Sequence, residues 1–125
     1  MNVLLSIKPK YANAILAGEK QVEFRKKTFK KEVERVYIYS SAPEQKIIGY
    51  FIIDNIDAAP PEELWKKYNA VGSISKEDFF DYFFEKEIGY SIKIKNFKKF
   101  SKSKNPKDIF ENFVPPQSYM YCDKL

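Results

Sequence analysis

The sequence predicts a mixed α+β fold, a small curved sheet or barrel with helices over its openings. Strand patterns outnumber long helical patterns, most of the strands are short, and the order along the chain is strand, helix, several strands, helices, strand. The chain has 125 residues, of which 44% are hydrophobic, enough for one core. We therefore expect residues 1–125 to form a single domain.

The first half of the chain begins with a strand and a helix. Val3, Leu5 and Ile7 share one face of an extended segment, and Pro9 suits the first turn of a helix that Gly18 ends. A charged loop is expected around residues 26–34. Further strands are expected at 20–25, 37–39 and 47–56, the last as a buried central strand.

The second half is predicted to contain two more helices and a long strand. Pro60-Pro61 opens one helix, and Ser75 with Asp78 forms a capping box for the next. The five aromatic residues of 79–84 have helical spacing and are interpreted as core. A strand is expected over 90–95, a short helical turn at 106–108 and an extended tail.

Composition excludes several classes of site. The chain has no histidine and only one cysteine, Cys122, so we expect no metal site, no cofactor and no internal disulfide. No apolar run approaches the roughly 20 residues of a membrane span, and the N-terminus lacks the features of a signal peptide. A cytoplasmic location without membrane contact is the expectation.

Positive charge is concentrated in one segment. The net charge is +5, and seven lysines but no acidic residue lie between positions 93 and 107. With Phe97 and Phe100 between the charges, this segment fits a phosphate-binding surface, and equally a solvated face with two buried aromatic anchors. The lysines of this basic surface are Lys93, Lys95, Lys98, Lys99, Lys102 and Lys104.

The stretch GEKQVEFRKK, residues 18–27, interleaves charges with apolar residues. In a strand, Val22 and Phe24 point to one side while Glu23 and Arg25 point to the other, and Lys20 stands at the start. Such a group can bind the polar edge of a base, since the carboxylate accepts from an amine and the cations donate. A charged outer strand face is the alternative interpretation.

The order of these segments resembles the ASCH domain family of the PUA-like superfamily. The family pattern G-x-K-x-x-E-x-R is matched by residues 18–25, and LLSIKP, VYIYSSAP, IIGYFIID and PPQSYMY resemble further family blocks. The resemblance covers nearly the whole chain. It implies a PUA-like β-barrel with flanking helices, a cleft near the motif, and binding of RNA or another nucleic acid, often in translation or transcription.

Candidate binding residues are expected around that cleft. Gln117, Ser118 and Tyr119 resemble the family's C-terminal block, and Lys8, at the end of the first strand, either rims the cleft or is simply solvated. Tyr119 either stacks on a base or belongs to the core, and the serines after the third strand either face the cleft or serve the turn. The candidate nucleic-acid-binding residues are Lys8, Lys20, Glu23, Arg25, Ser40, Ser41, Gln117, Ser118 and Tyr119.

Two other functions are compatible with these residues, which predict no particular oligomeric state. Some ASCH members look like ribonucleases, and one branch hydrolyses N4-acetylcytidine; Lys20 and Glu23 would then be the catalytic candidates. Glu23 stands where that branch has its threonine nucleophile, and residues 68–73 lack the acid expected there. A protein-interaction adaptor that uses the aromatic helix is the third hypothesis.

Overall fold

The computed structural model describes all of residues 1–125 and contains six strands, three α-helices and one 3₁₀ turn. The strands are β1 (Asn2–Ile7), β2 (Val22–Arg25), β3 (Val36–Ser40), β4 (Lys46–Ala59), β5 (Gly89–Lys104) and β6 (Tyr119–Cys122). The helices are α1 (Pro9–Leu16), α2 (Pro61–Tyr68) and α3 (Lys76–Tyr82), and the 3₁₀ turn is Pro106–Asp108. No helix combines the length and apolarity that crossing a membrane requires.

All six strands belong to one sheet in the order β2-β5-β4-β3-β1-β6. The β1–β3 pair is parallel and the other neighbouring pairs are antiparallel. Register shifts interrupt the β3–β4 and β4–β5 ladders, and such irregularities increase strand twist and bending. The sheet curls into a half-barrel whose free edges are β2 and β6, which confirms the predicted α+β architecture.

The main core lies inside this curl. Val3, Leu5 and Ile7 of β1 pack there with the buried face of α1, as their alternation predicts. Leu4 of the same strand is also fully buried, in a second cluster that includes Tyr37 and Tyr39 of β3. Both faces of β1 and β3 are therefore covered, which explains why these strands read as nearly continuous apolar runs.

The third cluster joins β2 to the two later helices. Val22 and Phe24 pack against Leu64 of α2 and against Phe79 and Phe83 at α3. The Ser75 side chain accepts a hydrogen bond from the Asp78 amide at the start of α3, as the capping pattern predicts. This packing fixes the side of β2 opposite to Glu23 and Arg25.

Three expectations need correction. Strand β5 continues to Lys104, well beyond residue 95, because β4 supplies a long partner for it. Strand β4 is central, yet beyond Phe51 its side chains are only half-buried or exposed. The aromatic segment is core at Phe79 and Phe83, but Phe84 follows the end of α3 and is 73% exposed.

Candidate functional site

An open cavity of about 1090 Å³ lies where β1 ends and β2 runs past it. Its walls come from these two strands, the start of α1, the turn after β3, helix α3 and the segment before β6. The polar and aromatic residues that line it include Ser6, Lys8, Tyr11, Lys20, Glu23, Arg25, Lys26, Lys27, Tyr39, Ser41, Asp78, Asp81, Tyr82, Lys86, Gln117 and Ser118. Most of these segments are far apart in sequence and meet only in the folded chain.

Lys20, Glu23 and Arg25 converge on this cavity. The Glu23 carboxylate lies between the two cations: its Oε2 is 3.1 Å from Arg25 Nη1, and its Oε1 is 3.8 Å from Lys20 Nζ. The Glu23 side chain is only 7% exposed, so the pair interactions act in a medium less polarisable than water. The three charged groups therefore meet at a concavity, as the alternation of the strand predicts.

Lys20 is the deepest of the three charges. It is 2% exposed, its ammonium donates to the Gly72 carbonyl at 2.5 Å, and it lies about 5 Å from the ring centres of Tyr11 and Phe24. Burial lowers the pKa of Lys20 from its usual value, and the Glu23 carboxylate opposes this effect. The segment after α2 thus offers Lys20 a backbone carbonyl and no carboxylate.

Arg25 makes hydrogen bonds to three parts of the chain. Its Nη1 donates to Glu23 Oε2 at 3.1 Å and to the Ser6 carbonyl at 3.2 Å, and its Nη2 donates to Ser118 Oγ at 2.9 Å. These acceptors lie in β2, in β1 and just before β6. The guanidinium therefore fixes the orientation of Glu23 and also connects distant walls of the cavity.

Three tyrosines of the cavity were missed by sequence reasoning. Tyr11, Tyr39 and Tyr82 come from α1, β3 and α3, and none lies in the motif. Burial raises the pKa of all three hydroxyls; Arg25 opposes the rise at Tyr82. They remain protonated near neutral pH and can act as hydrogen-bond donors. The half-buried rings of Tyr11 and Tyr82 can also serve as stacking surfaces, whereas Tyr39 is 2% exposed and packs in the core. The helical periodicity of the aromatic residues of α3 predicts core packing and does not single out Tyr82 as a cavity residue.

The other predicted site residues divide into two groups. Lys8, Ser41, Gln117 and Ser118 line the cavity. Ser40 does not line it.

Ser40 and Tyr119 need correction as cavity residues. The Ser40 side chain is fully buried, and its hydroxyl donates to Glu44 at 2.9 Å, within the turn that follows β3. Tyr119 lies outside the lining and packs edge-on against Phe29, with ring centres 4.8 Å apart. Tyr119 is therefore a partly buried aromatic of the main core, the second of the two interpretations given for it.

The basic surface occupies the long second part of β5, outside the cavity lining. Phe100 packs against Tyr37 and Tyr50, as a buried anchor would, whereas Phe97 is 43% exposed. Lys93 is 3.7 Å from Asp54, and Lys104 stands over the Phe100 ring at 4.9 Å. The interpretation as a solvated face with two buried anchors therefore holds for Phe100 but not for Phe97, and an exposed stacking role is open to Phe97 but not to Phe100.

The cavity carries an excess of positive charge. Its cationic residues are Lys8, Lys20, Arg25, Lys26, Lys27 and Lys86, and its acidic residues are Glu23, Asp78 and Asp81. Because most of the cations stand at the rim and Glu23 at the base, the arrangement favours a ligand with an anionic part and a hydrogen-bond-donating part.

Comparisons with known proteins identify the family. The family model described as "Domain of unknown function (DUF365)" matches residues 1–115. An ASCH domain-containing ribonuclease of Zymomonas mobilis is 28% identical over 124 residues, which are 97% of this chain and 84% of that protein. The crystal structure of ASCH from Zymomonas mobilis superposes with a TM-score of 0.91 at 28% identity and covers 98% of this chain and 88% of that one.

One further relative is a much longer protein. The large ribosomal subunit protein uL22 of Ureaplasma parvum is 31% identical over 110 residues, which are 87% of this chain but 34% of that protein. The match to the family model, together with the shared fold, shows that the chain belongs to the DUF365 family and is an ASCH domain of the PUA-like superfamily.

Proposed function

We propose that this chain binds single-stranded RNA and that the cavity receives one nucleotide of the strand. The observation that carries the proposal is the buried Glu23 carboxylate at the base of a cavity whose rim is cationic. A base offers N–H groups to such a carboxylate, and the phosphate next to it is attracted to the rim. In a purely phosphate-binding pocket the buried acid would only offset the neighbouring cations and weaken the attraction for phosphate.

Glu23 keeps an oxygen available for a ligand. Arg25 donates to Oε2, whereas no hydrogen bond within the chain reaches Oε1, and Lys20 is 3.8 Å from it. This oxygen can accept from the exocyclic amine or the ring N–H of a base. Tyr11 or Tyr82, both half-buried at the cavity, can contact the face of the same base, since base–aromatic stacking tolerates any sequence.

The basic surface supports binding of the rest of the strand. Five of its six lysines are exposed, and the half-exposed Phe97 stands among them. Lysines neutralise phosphates and release counterions, so RNA affinity should fall steeply with salt. Lys98→Ala and Lys99→Ala should each reduce the slope of log affinity against log salt by about one unit.

The named relatives support a role connected with RNA. The Zymomonas protein, similar over nearly the whole chain, is described as a ribonuclease, and a ribosomal protein of Ureaplasma contains a similar segment. We infer the same class of partner for this chain.

Cleavage of RNA is the second candidate function, favoured by the name of the Zymomonas relative and by the groups in the cavity. In such a reaction the 2′-oxygen attacks the adjacent phosphorus, the bond from phosphorus to the 5′-oxygen breaks, and that oxygen takes up a proton. Glu23 would accept the proton of the 2′-hydroxyl, and a protonated tyrosine such as Tyr39 would supply the other. Rim cations would stabilise the phosphorane charge. The acetylcytidine hydrolase alternative has less support, because Lys20 meets the Gly72 carbonyl and no second acid.

A matched pair of substitutions tests whether RNA enters the cavity. Gln117 and Gln21 are both exposed, but only Gln117 lines the cavity. We expect Gln117→Trp to weaken binding of a fluorescent oligoribonucleotide by at least about tenfold, measured by anisotropy, and Gln21→Trp to leave it unchanged. Equal affinities of the two variants and the wild type would refute binding in the cavity.

Cleavage is tested with the same oligoribonucleotide. If the chain is a ribonuclease, incubation should produce a fragment that ends in a 2′,3′-cyclic phosphate, and a 2′-deoxy substitution at the cleaved position should prevent it. Glu23→Gln should abolish the product. RNA that stays intact after long incubation at several pH values would contradict cleavage and leave RNA binding as the proposed function.

A further inference from the structure

We propose that Arg25 is a positioning residue that joins the two free edges of the curled sheet, and that it does not serve as a ligand for RNA. Arg25 is the last residue of β2, which forms one edge of the sheet. Ser118 directly precedes β6, which forms the other edge, and Ser6 lies in the neighbouring strand β1. The hydrogen bonds from Arg25 to Ser6 and Ser118, which we call the cross-edge contact, therefore span the opening of the half-barrel.

The donor count of Arg25 supports this role. A guanidinium has five N–H donors, and three of them are used within the chain, on Glu23, Ser6 and Ser118. Nη1 donates to two of these acceptors and Nη2 to the third, and the side chain is 14% exposed. Fewer N–H donors of Arg25 therefore remain for a ligand than the motif alone suggested.

The geometry also explains why this position holds an arginine. The planar fork reaches acceptors on three segments at once, whereas a lysine ammonium is a single point of charge on a flexible stem. A second link supports the same wall, because the Ser6 hydroxyl donates to the Pro116 carbonyl at 2.7 Å. The cross-edge contact thus holds residues 115–118 beside Glu23 and sets the direction in which that carboxylate points.

The first test needs no RNA and therefore does not depend on the proposed function. Hydrogen exchange followed by mass spectrometry compares the wild type with Arg25→Lys, Ser118→Ala and a control, Lys27→Ala. Lys27 is an exposed residue of the cavity rim and lies outside the cross-edge contact. We expect exchange in β6 to become about tenfold faster in Arg25→Lys and several-fold faster in Ser118→Ala, with no change in Lys27→Ala.

The second test separates positioning from ligand binding and rests on the proposed function. A phosphate ligand role predicts that Arg25→Ala weakens RNA binding and lowers the slope of log affinity against log salt by about one unit. The positioning role predicts about tenfold weaker binding with an unchanged salt slope, whereas Lys27→Ala should lower that slope by about one unit.

The outcomes are distinguishable. Wild-type exchange in β6 of both Arg25→Lys and Ser118→Ala would overturn the positioning role, whatever RNA does. Faster exchange in a protein that binds no RNA would support the cross-edge contact and count against the proposed function alone. If Arg25→Lys fails to fold, the milder Ser118→Ala variant decides the question by its exchange.

Discussion

Glu23→Gln decides whether the buried acid recognises a ligand or only balances charge. Glutamine preserves the shape of the side chain and removes its charge. If Glu23 accepts hydrogen bonds from a base, the variant should bind RNA more weakly. If Glu23 only offsets the neighbouring cations, the variant should bind RNA more tightly, because a negative charge has left a site that attracts phosphate.

The size of the effect follows from the geometry. At 3.1 and 3.8 Å and an effective dielectric constant of about 20, each contact of Glu23 with a cation has a gross energy of about 4–5 kcal/mol. Desolvation offsets most of this, and glutamine still accepts from Arg25, so we expect unfolding to become easier by about 2 kcal/mol. A hydrogen bond from a base to a charged acceptor contributes about 1.5–3 kcal/mol, so RNA affinity should fall at least about tenfold.

The assay is anisotropy of a fluorescent oligoribonucleotide at constant salt, well below the melting temperature of the variant. Asp81→Asn serves as the control, since Asp81 is an exposed acid that lines the same cavity. Its removal should strengthen binding slightly. Tighter binding by Glu23→Gln as well as by Asp81→Asn would refute recognition by the carboxylate.

Three further predictions concern the buried groups and the sheet. Folding lowers the pKa of Lys20, so between that lowered pKa and 10.5 the unfolded state binds more protons than the folded state. The free energy of unfolding of the wild type, relative to that of Lys20→Met, should therefore rise with pH in this range. A difference that urea unfolding shows to be independent of pH would contradict this. Gly49→Ala would place a methyl group against the Lys98 carbonyl and 3.0 Å from Leu16, so thermal unfolding should show a loss of about 1–3 kcal/mol, and unchanged stability would refute the close β4–β5 approach. Burial raises the pKa of Cys122 to about 11, so iodoacetamide should modify this thiol only after the protein unfolds, as detected by mass spectrometry. Rapid modification of the native protein near pH 8 would contradict the burial of Cys122.

The sequence predicted those parts of the site that follow from local alternation. Strand periodicity separated Val22 and Phe24, which are core, from Glu23 and Arg25, which face the cavity. The capping residue of α3, Ser75, likewise follows from a local sequence pattern. By contrast, Arg25 and Ser118 are 93 positions apart, and only the curl of the sheet brings them together. No local pattern carries that information.

The errors have a similar physical origin. The second part of β5 carries lysines where an apolar alternation would mark a strand, and its pairing with β4 overrides that composition. Ser40 lies in sequence between Tyr39 and Ser41, which both line the cavity, but its own hydroxyl donates to Glu44. The part played by Tyr39 and Tyr82 depends on how β3 and α3 are placed around the opening, which their spacing does not encode.

The pairing of β1 with β6 determines where neighbouring polypeptide can be attached. Asn2 lies opposite Cys122, at the far end of β1 from Ser6, Ile7 and Lys8, which border the cavity. Anything tethered beyond either residue would leave from the side remote from the mouth. Such an arrangement would let a domain of this kind be carried within a larger host without obstructing access to its interior. A similar segment of 110 residues occurs within the longer Ureaplasma ribosomal protein.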